Sequence, residues 1–346
     1  MIRRVEVIPY ALPLREPYVT SRGRLERREL ILLRLTDADG LVGLGETTSM
    51  SLRGGRALEA IAAELRRLAR LVADEPAGVS AHRLSRELGS PEAACALSIA
   101  VMDIELRREP APAPAPVSVN ATLSSGSPGE VASTAAAWAA RGFSTFKLKL
   151  GTVDDVAQAE AVREAVGAEA RIRVDANGAW SAGEATRILA QLEPVGIELC
   201  EQPVASLGEM AVVRAATEIP IAADESVTDP AGARRAAELG ACDLATLKLA
   251  KVGGPVAAER GEWAMPVYVS SALEGPVGIA AAGRVAAAMD SAGAGAGIAH
   301  GLATQLLFAE TVAARGPEIR DGTLVIPDGP GLGVELDDEA LARHRL

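Results

Sequence analysis

Charged side chains end a regular series of short apolar runs in the middle of the chain. The residues that end successive runs are Lys149, Asp175, Glu201, Asp224 and Lys248. They recur at intervals of about 25 residues, which is the length of one strand, one helix and two short connections. Helical patterns occupy the intervals, as in residues 154–166, 181–192 and 229–239. This many repeated strand–helix units predict an α/β fold in which parallel strands close into a barrel.

The C-terminal ends of barrel strands converge on one mouth, so these five charged side chains are expected to meet there. Three carboxylates aimed at one point, those of Asp175, Glu201 and Asp224, repel one another unless a cation lies between them. Oxygen ligands suit a hard divalent ion, which predicts Mg²⁺ as the cofactor and Mn²⁺ as a substitute. The same repulsion predicts that loss of one carboxylate would leave the fold stable. Lys149 and Lys248 are poor ligands and good acid–base groups, which fits proton abstraction next to a carboxylate.

Five short motifs occur in order at this spacing. They are Lys147-Leu148-Lys149, Asp175-Ala176-Asn177, Glu201-Gln202-Pro203, Ala223-Asp224-Glu225-Ser226 and Lys248-Leu249-Ala250-Lys251-Val252-Gly253-Gly254. With these motifs the chain resembles the muconate-lactonizing subgroup of the enolase superfamily over almost its whole length. The resemblance implies a modified (β/α)7β barrel with an α+β capping domain. It also implies that Asp175, Glu201 and Asp224 bind Mg²⁺ and that Lys149 and Lys248 are the acid–base pair.

Within that subgroup the motifs are most similar to those of o-succinylbenzoate synthases. This implies a lyase that dehydrates a cyclohexadiene carboxylate through an enediolate in menaquinone biosynthesis. Two alternatives stay open: an epimerase, racemase or muconate cycloisomerase on the same site, and a barrel without catalytic activity. Intact lysines and carboxylates argue against the second alternative, because buried convergent charges are costly to keep without use. Against a dipeptide epimerase, the residues from Ser270 to Glu274 contain no Asp-x-Asp of the kind that those enzymes use to hold a substrate ammonium.

Further residues are expected to contact the substrate, namely Lys147, Asn177, Ser270, Ser271 and Arg22. Small residues near Ser270, with the Ala/Gly-rich residues 292–301, predict a pocket of backbone and hydroxyl donors without a charged clamp. Residues 18–25, which include Arg22, read as a polar loop, and the resemblance implies that this loop is a lid that excludes water.

The chain divides into two predicted domains. Residues 1–112 read as an α+β capping domain, completed by residues 318–346, and residues 113–317 as the barrel. The capping domain is predicted to contain an edge strand over residues 2–11, a hairpin over residues 29–46 and three helices. In the third helix, Asp103 and Glu105 are expected on a solvated face. The helix after Lys248 has only residues 254–264 in which to form.

Composition narrows the classes of partner. The net charge is −11, which argues against nucleic acid or an anionic membrane and leaves a small carboxylate substrate. The three cysteines show no Cys-x-x-Cys spacing, which is typical of a reducing cytoplasm and of no zinc site. Neither a signal peptide nor an apolar stretch long enough to cross a bilayer is expected. Assembly into a homo-oligomer is left open.

Overall fold

The structure is a computed structural model that describes residues 1–49, 55–293 and 297–346. It begins with an antiparallel sheet in the order β1 (Ile2–Thr20), β2 (Gly23–Asp37) and β3 (Val42–Thr48). The turn between β2 and β3 is closed by Asp37, whose Oδ1 accepts from the backbone N–H groups of Asp39 and Leu41, both at 2.9 Å. The hairpin expected over residues 29–46 is therefore confirmed.

The first two strands are longer than the sequence predicted. An edge strand over residues 2–11 and a polar loop over residues 18–25 were expected, whereas β1 continues to Thr20 and β2 resumes at Gly23. Only Ser21 and Arg22 form the turn. The reason is packing, because Tyr18 and Thr20 are buried against the rest of the protein. The predicted lid is thus the tip of a long β-hairpin.

Three helices cover one face of this sheet: α1 (Leu58–Ala73), α2 (Ala81–Arg86) and α3 (Pro91–Arg108). Ser80 and Ser90 cap α2 and α3 by accepting from N–H groups in the first turn. α3 lies directly against β3. A Cβ atom at Gly45 would come within 1.9 Å of the Ala96 carbonyl oxygen, so only glycine permits this approach.

The environment of Asp103 on α3 differs from the one that the sequence predicted. The residue was placed on a solvated face, but its side chain is buried and accepts from the backbone N–H groups of Leu44 at 2.8 Å and Leu332 at 2.7 Å. Burial raises the pKa of Asp103, against the opposing charge of Arg107. The carboxylate joins the N-terminal sheet to the C-terminal tail, whereas Glu105 is exposed as expected.

The second half of the chain alternates strands and helices. In order these are β4 (Val117–Ser118), β5 (Ala121–Leu123), α4 (Pro128–Ala139), β6 (Thr145–Lys149), α5 (Asp155–Val166), β7 (Arg171–Asp175), α6 (Ala182–Leu192), β8 (Ile197–Glu201), α7 (Leu207–Arg214), β9 (Ile221–Ala223), α8 (Pro230–Glu238), β10 (Leu244–Leu247), α9 (Leu249–Val252), α10 (Pro255–Arg260), β11 (Val267–Val269) and α11 (Pro276–Ser291). The helix expected within residues 254–264 is short, as predicted.

Seven of these strands form one parallel sheet in the order β11-β10-β9-β8-β7-β6-β5. The sheet closes through the segment just after residues 294–296, which lie outside the described residues. His300 forms a parallel bridge with Val119, and Gly301 forms one with Ser270. These contacts join the two edges, so the fold is a modified (β/α)7β barrel with an α+β cap. The fold class predicted from the sequence is confirmed.

The C-terminal tail returns to both parts of the molecule. It contains β12 (Ala313–Arg315), β13 (Glu318–Arg320), β14 (Thr323–Val325), β15 (Glu335–Leu336) and α12 (Asp338–His344). β14 pairs with β4 at the start of the barrel, while the Leu346 N–H donates to the Pro9 carbonyl at 3.0 Å. The division at residues 112 and 317 stays a prediction. No helix among the described residues has the length and apolar character needed to cross a membrane.

Candidate active site

A cavity opens at the C-terminal ends of the barrel strands. It encloses about 560 Å³ of empty space, its opening to solvent included. The barrel wall includes Lys147, Lys149, Asn177, Lys248, Ser270 and Ser271, and the cap contributes Tyr18, Thr20, Arg22 and Arg28. The residues that the sequence assigned to substrate contact all lie on this wall. The three carboxylates are fully buried and lie behind it.

Two lysines of β6 contact the first two carboxylates. Strand alternation sends Lys147 and Lys149 to the barrel interior, where both are buried. Lys147 Nζ lies 2.9 Å from Asp175 Oδ2 and 2.5 Å from Glu201 Oε2. Lys149 Nζ donates to Asp175 Oδ2, and Tyr268 Oη donates to Glu201 Oε2. The ends of β6, β7 and β8 therefore carry one connected network of charges.

The third carboxylate has lysines of its own. Asp224 follows β9 directly, and its Oδ2 accepts from Lys248 Nζ, which follows β10. Its Oδ1 accepts from Lys251 Nζ at 3.0 Å. The Lys251 ammonium also donates to the backbone carbonyls of Asp224 and Thr246. The order of the strands places Lys149 and Lys248 on opposite walls, because β7, β8 and β9 separate β6 from β10.

Burial and neighbouring charges shift the pKa values of the residues in this network. Burial would raise the pKa of Asp175, but Lys147 and Lys149 hold it well below its usual value. Burial would lower the pKa of Lys147, yet Asp175 and Glu201 raise it well above its usual value. The pKa of Glu201 is raised, first by burial and then by the charge of Asp175. Lys147 and Asp175 are therefore a charged pair at neutral pH.

Asn177 connects the barrel to the hairpin tip. Its Oδ1 accepts from Lys149 Nζ at 3.0 Å, and its backbone carbonyl accepts from Arg22 Nε at 2.7 Å. The residue has φ +49°, a left-handed conformation that asparagine tolerates better than most side chains. Arg22 is exposed on the cavity wall, and through this carbonyl it anchors the hairpin tip to the barrel.

The segment after β11 is held by two buried glutamates. Ser271 Oγ donates to Glu274 Oε2 at 2.5 Å and accepts from Thr304 Oγ1 at 2.7 Å. Glu46 of β3 accepts from the backbone N–H groups of Gly275 and Val277, at the start of α11. The hydroxyl of Ser271 is thus engaged within the protein. Ser270 lines the cavity, and its side chain packs against Gly301.

Sequence reasoning missed several residues of the site, namely Arg28, Gln202, Tyr268 and the contact of Lys251 with Asp224. Gln202 Oε1 accepts from the backbone N–H of Asp224 at 2.9 Å and so fixes its position. One signal could have found Lys251. The chain contains four lysines among its 35 basic residues, and all four are buried at this site. Arginine replaces lysine everywhere else in this protein.

The three buried carboxylates present oxygen atoms that a divalent cation could bind. In the described ranges, no three Asp, Glu, His or Cys side chains are spaced as a metal-binding group. Lysine ammonium groups contact the oxygens instead. The position of Lys147 shows that the space between Asp175 and Glu201 accepts a cation, and Glu201 Oε1 is buried without a hydrogen-bond partner among the residues that the structure describes. The donor set is all oxygen and therefore fits Mg²⁺, which would compete with the lysines for these atoms.

Known families match both parts of the chain. Residues 2–114 match the mandelate racemase / muconate lactonizing enzyme N-terminal domain, and residues 130–340 match the enolase C-terminal domain-like family. The chain is 29% identical to the L-Ala-D/L-Glu epimerase of Bacillus subtilis, with 96% of each chain covered. It is also 29% identical to muconate cycloisomerase 1 of Acinetobacter baylyi over the full length of both.

Two further similarities bear on the site. The chain is 40% identical to the o-succinylbenzoate synthase of Thermobifida fusca over 177 residues, which are 49% of this chain and 55% of that protein. A dipeptide epimerase from Cytophaga hutchinsonii, solved with Mg and the dipeptide D-Ala-L-Val, has a TM-score of 0.88 and 27% identity. That comparison covers 99% of this chain and 98% of the epimerase.

Proposed function

The chain belongs to the muconate-lactonizing subgroup of the enolase superfamily, as its motifs predicted, and from that premise we propose that it is an o-succinylbenzoate synthase. The reaction is the Mg²⁺-dependent dehydration of 2-succinyl-6-hydroxy-2,4-cyclohexadiene-1-carboxylate in menaquinone biosynthesis. Its relatives are enzymes, and they include epimerases, cycloisomerases and an o-succinylbenzoate synthase. A cytoplasmic location and independence of nucleic acid and membranes remain predictions from composition.

The observation that favours this proposal over a dipeptide epimerase is the charge of the cavity wall. Its charged residues are all cations, Arg22, Arg28, Lys147, Lys149 and Lys248, and no carboxylate of the described residues lines it. Such a wall suits a substrate with two carboxylates and no ammonium. A dipeptide needs an acid for its ammonium, and the nearest acid by sequence, Glu274, already accepts from Ser271 and Ala272.

Lys149 is assigned the proton transfer. In the proposed reaction its amine removes the ring proton next to the carboxylate. The resulting ammonium then returns that proton to the departing hydroxide, so the C–O bond breaks and water leaves as the ring becomes aromatic. Asn177 and Asp175 hold the Lys149 amine in place through their side-chain oxygens. One lysine can serve both steps if the proton and the hydroxide leave from the same face.

Lys248, on the opposite wall of the cavity, is assigned the stabilisation of negative charge. Its ammonium would stabilise the negative charge that develops on the substrate while the proton is on Lys149. Asp175, Glu201 and Asp224 would hold Mg²⁺. The ion would supply a fixed positive charge at the substrate carboxylate. Lys147 and Lys251 neutralise part of the negative charge of these three residues.

Muconate cycloisomerisation is the second candidate. The full-length similarity to a muconate cycloisomerase favours it, and muconate is also a dicarboxylate without an ammonium. The cationic wall therefore does not separate the two reactions. The lysine and carboxylate roles would be the same, but no hydroxide would leave.

The test compares substrates on one preparation of the purified protein with Mg²⁺. The cyclohexadiene carboxylate, cis,cis-muconate, an N-succinylamino acid and L-Ala-L-Glu are each assayed for kcat/KM. We expect the dehydration to exceed the others by at least about tenfold, which corresponds to about 1.4 kcal/mol of transition-state stabilisation. If kcat/KM is higher for muconate or for either amino-acid substrate, the proposed synthase function is wrong and the protein has that other activity.

A further inference from the structure

Tyr268 spans part of the barrel interior next to the candidate site. It is the central residue of β11, so strand alternation points its side chain inward. The residue is fully buried and packs in an apolar cluster with Leu199, Ala222 and Leu244. Its hydroxyl donates to Oε2 of Glu201 at the end of β8, although β9 and β10 lie between the two strands in the sheet. The phenol therefore joins two separate walls of the barrel.

The ring of Tyr268 is held by a second contact. The guanidinium carbon of Arg173 lies 5.4 Å from the ring centroid, which is a cation–π distance. Arg173 is itself fixed, because it donates to the side chain of Glu198 and to the carbonyl of Ala299 at 2.6 Å. The position of the ring thus does not depend on the hydroxyl. Replacement of Tyr268 by phenylalanine should keep this packing and remove only the hydrogen bond to Glu201.

The two carboxylate oxygens of Glu201 have unequal surroundings. Oε2 accepts from Lys147 Nζ at 2.5 Å as well as from the Tyr268 hydroxyl, and both are charge-assisted hydrogen bonds. Oε1 is buried and has no hydrogen-bond partner in the part of the chain that the structure describes. A buried polar atom without a partner is rare in proteins and indicates a missing water or ion. Oε1 is therefore the oxygen that Glu201 offers to a cation.

The number of oxygens that a carboxylate offers distinguishes divalent ions. Mg²⁺ is small and requires a nearly octahedral arrangement, whereas Ca²⁺ takes six to eight oxygens and often binds both oxygens of one carboxylate. While Tyr268 and Lys147 donate to Oε2, Glu201 supplies a single oxygen. Such a ligand suits Mg²⁺ and withholds the second oxygen that Ca²⁺ would use.

Resting on the Mg²⁺ assignment of the proposed function, we propose that Tyr268 is a positioning residue that limits Glu201 to one metal-binding oxygen and so favours Mg²⁺ over Ca²⁺. Tyr268 is not among the residues that line the cavity, and it acts through Glu201. Lys147 contacts the same oxygen but also pairs with Asp175. A phenol donates a single hydrogen bond, so the hydroxyl of Tyr268 serves Glu201 alone.

The test measures the binding of Mg²⁺ and of Ca²⁺ to chelator-treated protein by calorimetry, without substrate. The proteins are the wild type, Tyr268→Phe and the control Tyr10→Phe. Tyr10 is also a fully buried tyrosine beside a buried glutamate, Glu46, but it lies on β1 of the cap. Circular dichroism and thermal denaturation verify that each variant is folded.

We expect Tyr268→Phe to weaken Mg²⁺ binding by about tenfold, the usual effect of removing a hydrogen bond that orients a metal ligand. The affinity for Ca²⁺ should fall less or should rise, because Oε2 is partly released and can bind the ion together with Oε1. The preference for Mg²⁺ over Ca²⁺ should therefore fall by at least about threefold. Tyr10→Phe should keep the wild-type preference. This ratio is decisive, since a tyrosine needed only for packing would change both affinities by the same factor.

Different results would overturn different parts of the assignment. If the wild type binds no Mg²⁺, the metal assignment and the role of Tyr268 both fail. If the wild type binds Mg²⁺ and Tyr268→Phe keeps the wild-type ratio of affinities, only the role of Tyr268 fails. The substrate assay tests the synthase reaction separately, because metal binding is measured without substrate.

A crystal structure of the wild type with Mg²⁺ tests the same inference if Tyr268→Phe does not fold. We expect Glu201 to bind the ion through Oε1 while Oε2 keeps its hydrogen bond from Tyr268. Coordination of the ion by both oxygens of Glu201, or by Oε2 alone, would overturn the role of Tyr268.

Discussion

Lys251 donates its ammonium to Asp224 twice, to the carboxylate at 3.0 Å and to the backbone carbonyl at 2.6 Å. A third bond goes to the Thr246 carbonyl at 2.7 Å. The lysine therefore supports Asp224 without itself lining the cavity. The negative charge of Asp224 is therefore stabilised by buried lysines as well as by any metal. Substitution of Asp224 should for this reason affect the stability of the fold.

We predict that Lys251→Met lowers the free energy of unfolding by about 3 kcal/mol, because a buried carboxylate loses one partner and two carbonyls lose their donor. Added Mg²⁺ should then raise the melting temperature more in this variant than in the wild type, since Asp224 attracts a cation more strongly without Lys251. Thermal denaturation with and without Mg²⁺ measures both effects. The exposed Arg260→Met on α10 is the control, and equal Mg²⁺ shifts in Lys251→Met and the wild type would contradict the prediction.

We predict that Asp224→Asn abolishes most activity and also destabilises the fold. The sequence alone suggested that removing one repelling carboxylate would be harmless to stability. The structure shows instead that Asp224 pairs with Lys248 and Lys251, so its loss should cost about 3–5 kcal/mol. Urea denaturation measures this loss.

The same variant tests the metal. At a Mg²⁺ concentration of about 100 times Kd, binding should stabilise the wild type by about 2.7 kcal/mol and Asp224→Asn by much less. Asp229→Asn is the control, because Asp229 caps α8 and asparagine caps equally well. The metal assignment fails if chelator-treated wild type keeps its activity or if Mg²⁺ stabilises Asp224→Asn as much as the wild type.

Substitution by arginine should affect the two catalytic lysines differently. We predict that Lys149→Arg lowers kcat by at least about 100-fold, because arginine keeps the charge but does not release a proton at neutral pH. Lys248→Arg should retain more activity, since its proposed task is to hold a positive charge. Single-turnover dehydration measures both rates. If Lys248→Arg is slower than Lys149→Arg, the roles assigned to the two lysines are reversed.

Glu46 should make stability depend on pH. Burial, followed by the charge of Glu274, raises its pKa to about 7. A raised carboxyl pKa means that the folded state holds the proton more tightly, so ionisation destabilises it as pH rises from the unfolded pKa of about 4.5 toward 7. The wild type should therefore lose about 3 kcal/mol across this window through Glu46.

Glu46→Gln isolates that contribution. The variant should be less stable than the wild type near pH 5, because its amide nitrogen faces an N–H donor of Gly275 or Val277. It should lack most of the loss between about pH 5 and 7. Urea denaturation at several pH values measures the slope. Glu29→Gln on β2 is the control, because the Glu29 side chain is 42% exposed. A slope in Glu46→Gln equal to that of the wild type would show that Glu46 does not titrate in this range.

The strand ends were determined by the sequence itself. Alternation and the spacing of Lys149, Asp175 and Glu201 are local properties of the chain, and each of these residues ends a strand as predicted. The carboxylate types in that order also predicted an oxygen-rich site. Such features are readable because a strand–helix unit has nearly constant length, whatever surrounds it.

Tertiary structure alone decided which partners those side chains have. Arg28 meets Ala272, 244 residues along the chain, and Glu46 meets Gly275 across 229 residues. No local pattern encodes these contacts, because they arise only when the cap docks on the closed barrel. The same holds for the pairing of each carboxylate with a lysine from another strand. Barrel closure brings these charges together in a buried space, and there their pairing, more than their type, sets the stability and chemistry of the site.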